Sequence, residues 1–291
     1  MEIFVAWKRP THSIRRGKNR QNAKGIYRKA DTRDIMRFLL TNDDGIYAKG
    51  LSALYQELTQ VAECLIVAPE IEQSAVGHAI TMSRPLMVRA ARKNGQFLGY
   101  AVAGTPADCV KIGIKELSEQ RVDLVVSGIN RGANVGINVI YSGTVSAATE
   151  GAILGIPSMA VSLDTRADAD FSFAAKFARR MALFMLNHYP SRHIPLNINV
   201  PALPEKDIKG VVVTRQGTAR FAESFERRVD PRENVYYWLA GETKLSAADQ
   251  EGTDALALSQ GLISITPVYY DLTRYDVLEE LRGTIGKLEM K

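Results

Sequence analysis

The chain has 291 residues, enough for one large domain or a domain with an appendage, and its 46% apolar and 24% charged residues are ordinary for a folded globular protein. Its net charge of +5 is unevenly placed: residues 1–35 carry ten Lys/Arg against three Asp/Glu, and the remainder carries 27 against 29. A nucleic-acid role argued from overall basicity would therefore rest on the first 35 residues alone, and no apolar run reaches the roughly 20 residues of a membrane span.

Residues 1–35 differ in character from the rest of the chain. The stretch Arg15 to Lys29 is polar, basic and without clear periodicity, which predicts a disordered or weakly helical extension. Ile3-Phe4-Val5-Ala6-Trp7 is too short for a signal-peptide core and precedes the basic cluster. A nucleic-acid arm or an Arg-rich targeting peptide would suit the segment. Met36, immediately before the first strand, fits better as the start of the functional unit.

From Met36 the pattern alternates. Arg37–Thr41 is an apolar strand, Tyr47–Gln60 carries Leu51, Leu54, Tyr55 and Leu58 at helical spacing, and Cys64–Ala68 is a second strand closed by Pro69. Leu86–Ala90 and Phe97–Val102 flank Lys93-Asn94-Gly95 and predict a hairpin. Helix Pro106–Leu117, strand Val122–Ser127, helix Val145–Leu154, strand Ser158–Leu163 and helix Phe171–His188 come next, then strands Leu196–Val200 and Val211–Arg215. This order predicts an α/β fold, a Rossmann-like and mostly parallel sheet flanked by helices, with right-handed crossovers. Between Phe221 and about Gly261 charges and aromatics mix without a core face, as in Val235-Tyr236-Tyr237-Trp238. That reads as an extended arm or hairpin, pairing with another subunit or folded back on its own domain. Leu262–Thr266, ended by Pro267, returns to strand character. The expected division is an extension at 1–35, a catalytic core at 36–220, and an oligomerisation arm with a return strand at 221–291. Cys64 and Cys109 lack metal-type spacing and read as inert core thiols suited to a reducing compartment, so the cytoplasm is the expected location.

Four stretches could carry chemistry. In Leu39-Leu40-Thr41-Asn42-Asp43-Asp44-Gly45 an apolar strand stops at two adjacent carboxylates. Paired carboxylates repel unless a cation lies beside them, so at a strand's carboxyl end they suit a divalent metal, although the same residues would also suit a solvated turn. The loop Pro69 to His78 leaves the second strand with Ser74 and His78 as polar candidates, although on their own each is more usually a hydrogen-bonding turn residue. Ser127-Gly128-Ile129-Asn130-Arg131-Gly132-Ala133-Asn134 opens a buried strand into a Gly/Asn loop, where Asn130 can offer a neutral oxygen to a hard cation. Tyr141-Ser142-Gly143-Thr144-Val145-Ser146 enters a helix whose free N–H groups and dipole favour an anion, or simply an N-cap. Together they place a hard-metal site beside a phosphate site, and metal-assisted phosphate ester hydrolysis is the natural chemistry.

From Met36 to about Pro267 the chain resembles the SurE (survival protein) family of metal-dependent 5′-nucleotidases. The resemblance rests on the motifs at 39–45, Ala-Pro at 68–69, Gln-Ser-Ala-Val-Gly-His-Ala-Ile-Thr at 73–81, Gly-Thr-Pro-Ala-Asp-Cys-Val at 104–110, and the two stretches at 127–134 and 141–148. It also includes Gly-Thr-Asp at 252–254 and Ser-Ile-Thr-Pro at 264–267. It implies one divalent ion per subunit, Mg²⁺ or Mn²⁺ for an oxygen donor set, held by Asp43, Asp44, Ser74 and Asn130. It implies hydrolysis of nucleoside 5′- and 3′-monophosphates, in some members of short polyphosphate, through a metal-activated water. Either Asp43 or Asp44 could be the base. The phosphate and substrate side is assigned to Asn42, Gly128, Asn134, Ser142, Gly143, Thr144 and Ser146. A homodimer or homotetramer is implied, with no membrane and no nucleic acid as partner. One departure stands out: the family usually has a basic residue at the position of Ile71 and another at that of Gln73. Two positive charges are absent there, and substrate affinity and range are not carried over. The rival class is a non-catalytic receiver or nucleotide sensor. Receivers are much shorter and need a phosphoacceptor Asp and a Lys at later strand ends, where this chain offers Asn130 and Ser158.

Overall fold

The structure is a computed structural model and describes residues 35–165, 167–189, 193–244 and 251–288. The expected N-terminal extension, apart from Ile35, lies outside the described residues. Strand β1 (Arg37–Thr41) leads through α1 (Lys49–Leu58) to β2 (Glu63–Pro69), then to the hairpin β3 (Val88–Lys93) and β4 (Gln96–Val102). Helix α2 (Pro106–Ile112) continues as one wider turn at Gly113–Leu117 before β5 (Leu124–Arg131). Next come α3 (Gly143–Ile153), β6 (Ser158–Asp164), α4 (Ser172–His188), β7 (Pro195–Pro201) and β8 (Gly210–Val213). The chain then forms β9 (Arg220–Val229) and β10 (Val235–Lys244), α5 (Asp254–Ser259), β11 (Leu262–Pro267) and α6 (Tyr275–Ile285).

Among the described residues nine strands form one sheet in the order β3-β4-β2-β1-β5-β6-β7-β11-β8. Its pairs are parallel except β3 with β4 and β11 with β7. Strand β1 pairs with β2 on one side and β5 on the other, both parallel. The winding direction therefore reverses at β1, and a crevice opens beyond the carboxyl ends of β1, β2 and β5.

The strand period of two divides the core between the two faces of the sheet. Phe38 and Leu40 of β1 join Leu51, Leu54 and Leu58 of α1 and Ala174, Ala178 and Ala182 of α4. Leu39, between them, joins Cys109 and Val110 of α2, Val125 of β5 and Ala147 of α3 on the other face. Both cysteines are free, and burial pushes the Cys64 thiol up to about 12, as inert thiols require.

Two features differ from the sequence reading. Ser158 opens β6 at its amino end, and Asp164 closes it, so Ser158 is not a strand-end residue on the functional edge. The apolar pattern of a buried strand looks the same from either end, so it does not reveal the direction of exit. Helices α5 and α6 were not expected. The first is only six residues long, too short to show a period, whereas the second carries Leu278, Leu281 and Ile285 at helical spacing although none of its residues is buried. Strand β11 lies between β7 and β8, inside the sheet of the core.

Close backbone approach explains one glycine. A Cβ on Gly50 would lie 2.0 Å from the carbonyl oxygen of Ile129, where α1 crosses the end of β5. Helix propensity alone makes Gly→Ala favourable by about 1 kcal/mol. Here the clash with backbone reverses the sign: Gly50→Ala is expected to lower the unfolding free energy by roughly 3 kcal/mol, read from the urea midpoint at unchanged slope.

Candidate active site

The crevice gathers the four stretches. Asp43 lies just past the end of β1 and is 6% exposed. Its side chain accepts from Thr144, through the hydroxyl at Oδ1 and the backbone N–H at Oδ2 at 3.2 Å. Its carbonyl accepts from the Gln73 N–H at 2.7 Å, tying β1's end to the Ser74 loop. The fit against α3 is close: a Cβ on Gly143 would lie 2.8 Å from Asp43 Cβ and 3.0 Å from Oδ2. Gly143 is therefore the residue that lets a helix start meet a carboxylate.

Asp44 turns the other way. Its Oδ2 accepts from the backbone N–H of Arg131 at 3.3 Å, so β5's end is bound to β1's end through a metal-type carboxylate. Asn130 donates Nδ2 to the Gly132 carbonyl at 2.8 Å, which leaves its Oδ1 as the end available to a ligand. Ser74 donates its hydroxyl to Glu72 Oε1 at 2.5 Å. Sequence reasoning gives Glu72 no role. Its charge also helps to raise Asp44, so a third carboxylate stands at this mouth.

Electrostatics set this pair apart. Burial, reinforced by the charge of Asp44, raises the Asp43 carboxyl to about 6 against the donors of Thr144. Burial and then Glu72 raise Asp44, against the N–H and guanidinium of Arg131. Among the described residues neither carboxylate forms an ion pair, and Asn42 Oδ1, next in the chain, is buried without a hydrogen-bond partner. Orphaned acceptors and desolvated acids together fit a hard cation supplied from outside the chain. Among the described residues no three His, Cys, Asp or Glu side chains cluster as metal ligands, so a cation here would need Asn and Ser oxygens beside the two acids.

The helix start is more committed than its sequence suggests. Ser142 Oγ accepts from the Val145 N–H at 3.1 Å, Ser146 donates its hydroxyl to the Ser142 carbonyl at 2.7 Å, and Thr144 serves Asp43. Ser142 and Gly143 are themselves buried, and among the described residues the Ser142 hydroxyl only accepts, which leaves its hydrogen and the Gly143 N–H to give. Asn134 is deeper. Its N–H donates to Asn199 Oδ1 at 2.8 Å, its Nδ2 to Ser162 Oγ at 2.8 Å, and its carbonyl accepts from Asn197 and Asn199. These contacts hold the loop onto β6 and β7. Gly128 has φ +134 and a Cβ there would meet the Val161 carbonyl at 2.3 Å, so it serves the passage of β5 past β6. Asn42 donates Nδ2 to the Gly45 carbonyl at 2.9 Å. Asp254 of the Gly-Thr-Asp motif is fully buried and accepts N–H groups from Gly136, Gly217 and Ala255. It is a clamp between loops.

A Rossmann-like sheet whose switch point carries two unpaired, desolvated carboxylates beside a helix start defines a class: α/β phosphate-handling proteins built around a hard divalent cation. The comparisons narrow this. The family described as Survival protein SurE matches residues 38–223. A protein of Syntrophus aciditrophicus named 5′-nucleotidase SurE is 70% identical over 252 residues, covering 87% of this chain and 95% of that one. One of the same name from Syntrophobacter fumaroxidans is 53% identical, with 87% and 99% covered. The crystal structure of the SurE protein of Aquifex aeolicus superposes with a TM-score of 0.72 at 40% identity, covering 86% of this chain and 99% of that one. The chain belongs to the SurE family.

The raised Asp43 carboxyl has a signed consequence. Its folded value of about 6 lies above the ordinary 3.8, so the native state binds the extra proton between those values. Metal-free stability therefore falls as pH rises from about 4 to about 7, by on the order of 3 kcal/mol from this group. That slope is expected to disappear in Asp43→Asn. Conversely, Mn²⁺ should raise the melting temperature at pH 7.5 and have little effect at pH 5, where the proton holds the site. Melting curves with and without Mn²⁺ at the two pH values check both.

Proposed function

We propose that the chain is a metal-dependent 5′-nucleotidase that hydrolyses nucleoside 5′-monophosphates to nucleoside and phosphate, with 3′-monophosphates and short polyphosphate as further substrates. The observation that carries this reading is the pair Asp43 and Asp44, buried or half-buried, raised and, among the described residues, without an ion pair, at the mouth shared with Gly143. Asp43, Asp44, Asn130 and Ser74 would hold one Mg²⁺ or Mn²⁺, an all-oxygen set that suits a hard ion. When bound, such an ion supplies Lewis-acid activation of water and of the phosphoryl group.

The chain's own residues then bind and orient. Gly143 N–H and the Ser142 hydroxyl are the donors at the start of α3 that are free to take phosphoryl oxygens, and the helix dipole favours that charge. Thr144 acts one step back, through Asp43. Asn42, Gly128, Asn134 and Ser146 shape the pocket from behind. Arg131 places a positive, exposed side chain close enough to lower Asp44, while Ile71 and Gln73, after β2, leave the usual basic positions apolar or neutral. Either Asp43 or Asp44 would take a proton from the attacking water.

The test is phosphate release from a panel of nucleoside monophosphates. Release is expected to stop with EDTA, to return with Mg²⁺ or Mn²⁺, and to fall at least about 100-fold in Asp44→Ala, since even residues behind the ligands cost that much. Release that ignores EDTA, or none from folded protein with any metal, would remove the reading.

We further propose that β9 and β10 form an arm that pairs with a second copy, giving a homodimer or homotetramer. The ribbon stands apart from the main sheet and exposes Phe225 by 67% and Trp238 and Tyr237 by 59% each. An isolated two-stranded ribbon is marginal in water, and aromatics at this exposure call for a covering surface. Residues 36–220 with β11 then make the catalytic core. Among the described residues no helix is long and apolar enough to cross a membrane. Unpaired cysteines suit a reducing cytoplasm. Light scattering on Trp238→Glu is expected to show a smaller species than the wild type; an unchanged mass would count against the arm.

A further inference from the structure

His78 has no part in the chemistry above, yet it makes the most buried side-chain contact of the Ser74 loop. Its Nε2 lies 2.8 Å from Glu150 Oε2, and Lys111 Nζ lies 2.5 Å from Oε1 of the same carboxylate. Glu150 is 3% exposed and belongs to α3, whose first turn holds Asp43 through Thr144. Lys111 belongs to α2. One buried carboxylate therefore joins the loop to both helices of this face. Burial would raise the Glu150 carboxyl, but His78 and Lys111 outweigh it and hold it below the usual range, so it stays an anion that needs both partners.

The loop needs such an anchor. Ser74 is exposed, and Ala75, immediately after it, has φ +57, with Gly77 at +59 two residues on. A non-glycine residue in the left-handed region persists only where its surroundings over-determine it. The front of the loop is held by the Gln73 N–H on the Asp43 carbonyl. The back is held by the Gly77 N–H on the Tyr141 carbonyl at 3.0 Å and by His78 on Glu150. Farther on, the Thr81 N–H reaches Asp108, and the Thr105 hydroxyl reaches the Ala79 carbonyl. Of these ties His78–Glu150 is the nearest side-chain tie on the C-terminal side of Ser74.

We propose that His78 is a positioning residue, which through buried Glu150 and Lys111 fixes the Ser74 hydroxyl at the cation site. The proposal rests on the metal-site reading above. It is specific about geometry. Glutamine places its side-chain nitrogen as many bonds from Cβ as His Nε2, whereas asparagine places it where Nδ1 would be, too short to reach Glu150. The two variants have the same polarity, so they separate reach from mere loss of the imidazole.

The experiment is calorimetric titration of Mn²⁺ into the full chain without nucleotide, for wild type, H78Q, H78N, S74A and S74A/H78N, with melting curves to confirm folding. H78N is expected to weaken Mn²⁺ binding about tenfold and H78Q by less than about threefold, in the range of partners behind a ligand. In turnover assays H78N should raise the Mn²⁺ concentration for half activity, while saturating Mn²⁺ returns most of kcat. If His78 acts through Ser74, S74A/H78N binds no more weakly than S74A, within about twofold. Additive losses in the double variant, or H78N binding Mn²⁺ like a wild type that does bind it, would overturn the proposal and leave the nucleotidase reading standing. A wild type that takes up no Mn²⁺ would overturn both. Should H78N fail to fold, H78Q binding Mn²⁺ tenfold more weakly while folded would overturn the assignment, and near-wild-type binding would support it.

Discussion

Asp43 sets a 6% exposed carboxylate against the first turn of α3, and no cationic side chain among the described residues meets it. Its partners are the hydroxyl and N–H of Thr144, which soften the burial but leave the acid near 6. A buried anion of this kind is a standing cost to the fold unless a cation is added. The surrounding structure is arranged to keep that anion in place. Gly143 admits it, the Gln73 N–H ties its carbonyl to the next loop, and Asp44 beside it binds the backbone of β5.

The parallel sheet makes this arrangement possible. Because β1 has β2 and β5 as parallel neighbours, three carboxyl ends emerge side by side, and each contributes one stretch to the crevice. Residues 87 positions apart, such as Asp44 and Arg131, then meet through a single hydrogen bond. Close backbone approach at Gly50 and Gly128 keeps the supporting helix and strand near enough for those ends to converge. The same logic explains motifs with no role in chemistry: Asn134 and Asp254 are buried polar clamps whose hydrogen bonds hold loops that would otherwise leave backbone N–H groups unpaired.

Several parts of this were legible in the residues. The strand–helix alternation from Arg37 onward comes from period-two and helical spacing, and β1 splits Phe38 and Leu40 from Leu39 as that spacing requires. The adjacent acids at 43 and 44 stood out because like charges side by side ask for a counter-ion. The exposed ribbon was foreshadowed by aromatics mixed with charges at 221–261. Less legible were α5, too short to show a period, and the direction in which Ser158 meets its strand. Glu72, in the loop after β2, and Arg131, the last residue of β5, carried no signal of their own, since exposed charges are common in loops and at strand ends.

The sequence by itself determined the α/β alternation, the two carboxylates at a strand end and the likeness to one family, because each is written in local pattern and residue type. Only the tertiary structure decided which donors are free and which are committed. The hydroxyls at Ser142, Thr144 and Ser146 looked equivalent in one dimension; in three, Thr144 belongs to Asp43, Ser146 to its own helix, and Ser142 alone keeps a hydrogen to give. His78 likewise reads as a loop histidine in the sequence, and only the fold sets Glu150, 72 residues away, beneath it. Hydrogen-bond commitment and desolvation depend on neighbours distant in the chain, and those neighbours exist only once the sheet has brought its strand ends together.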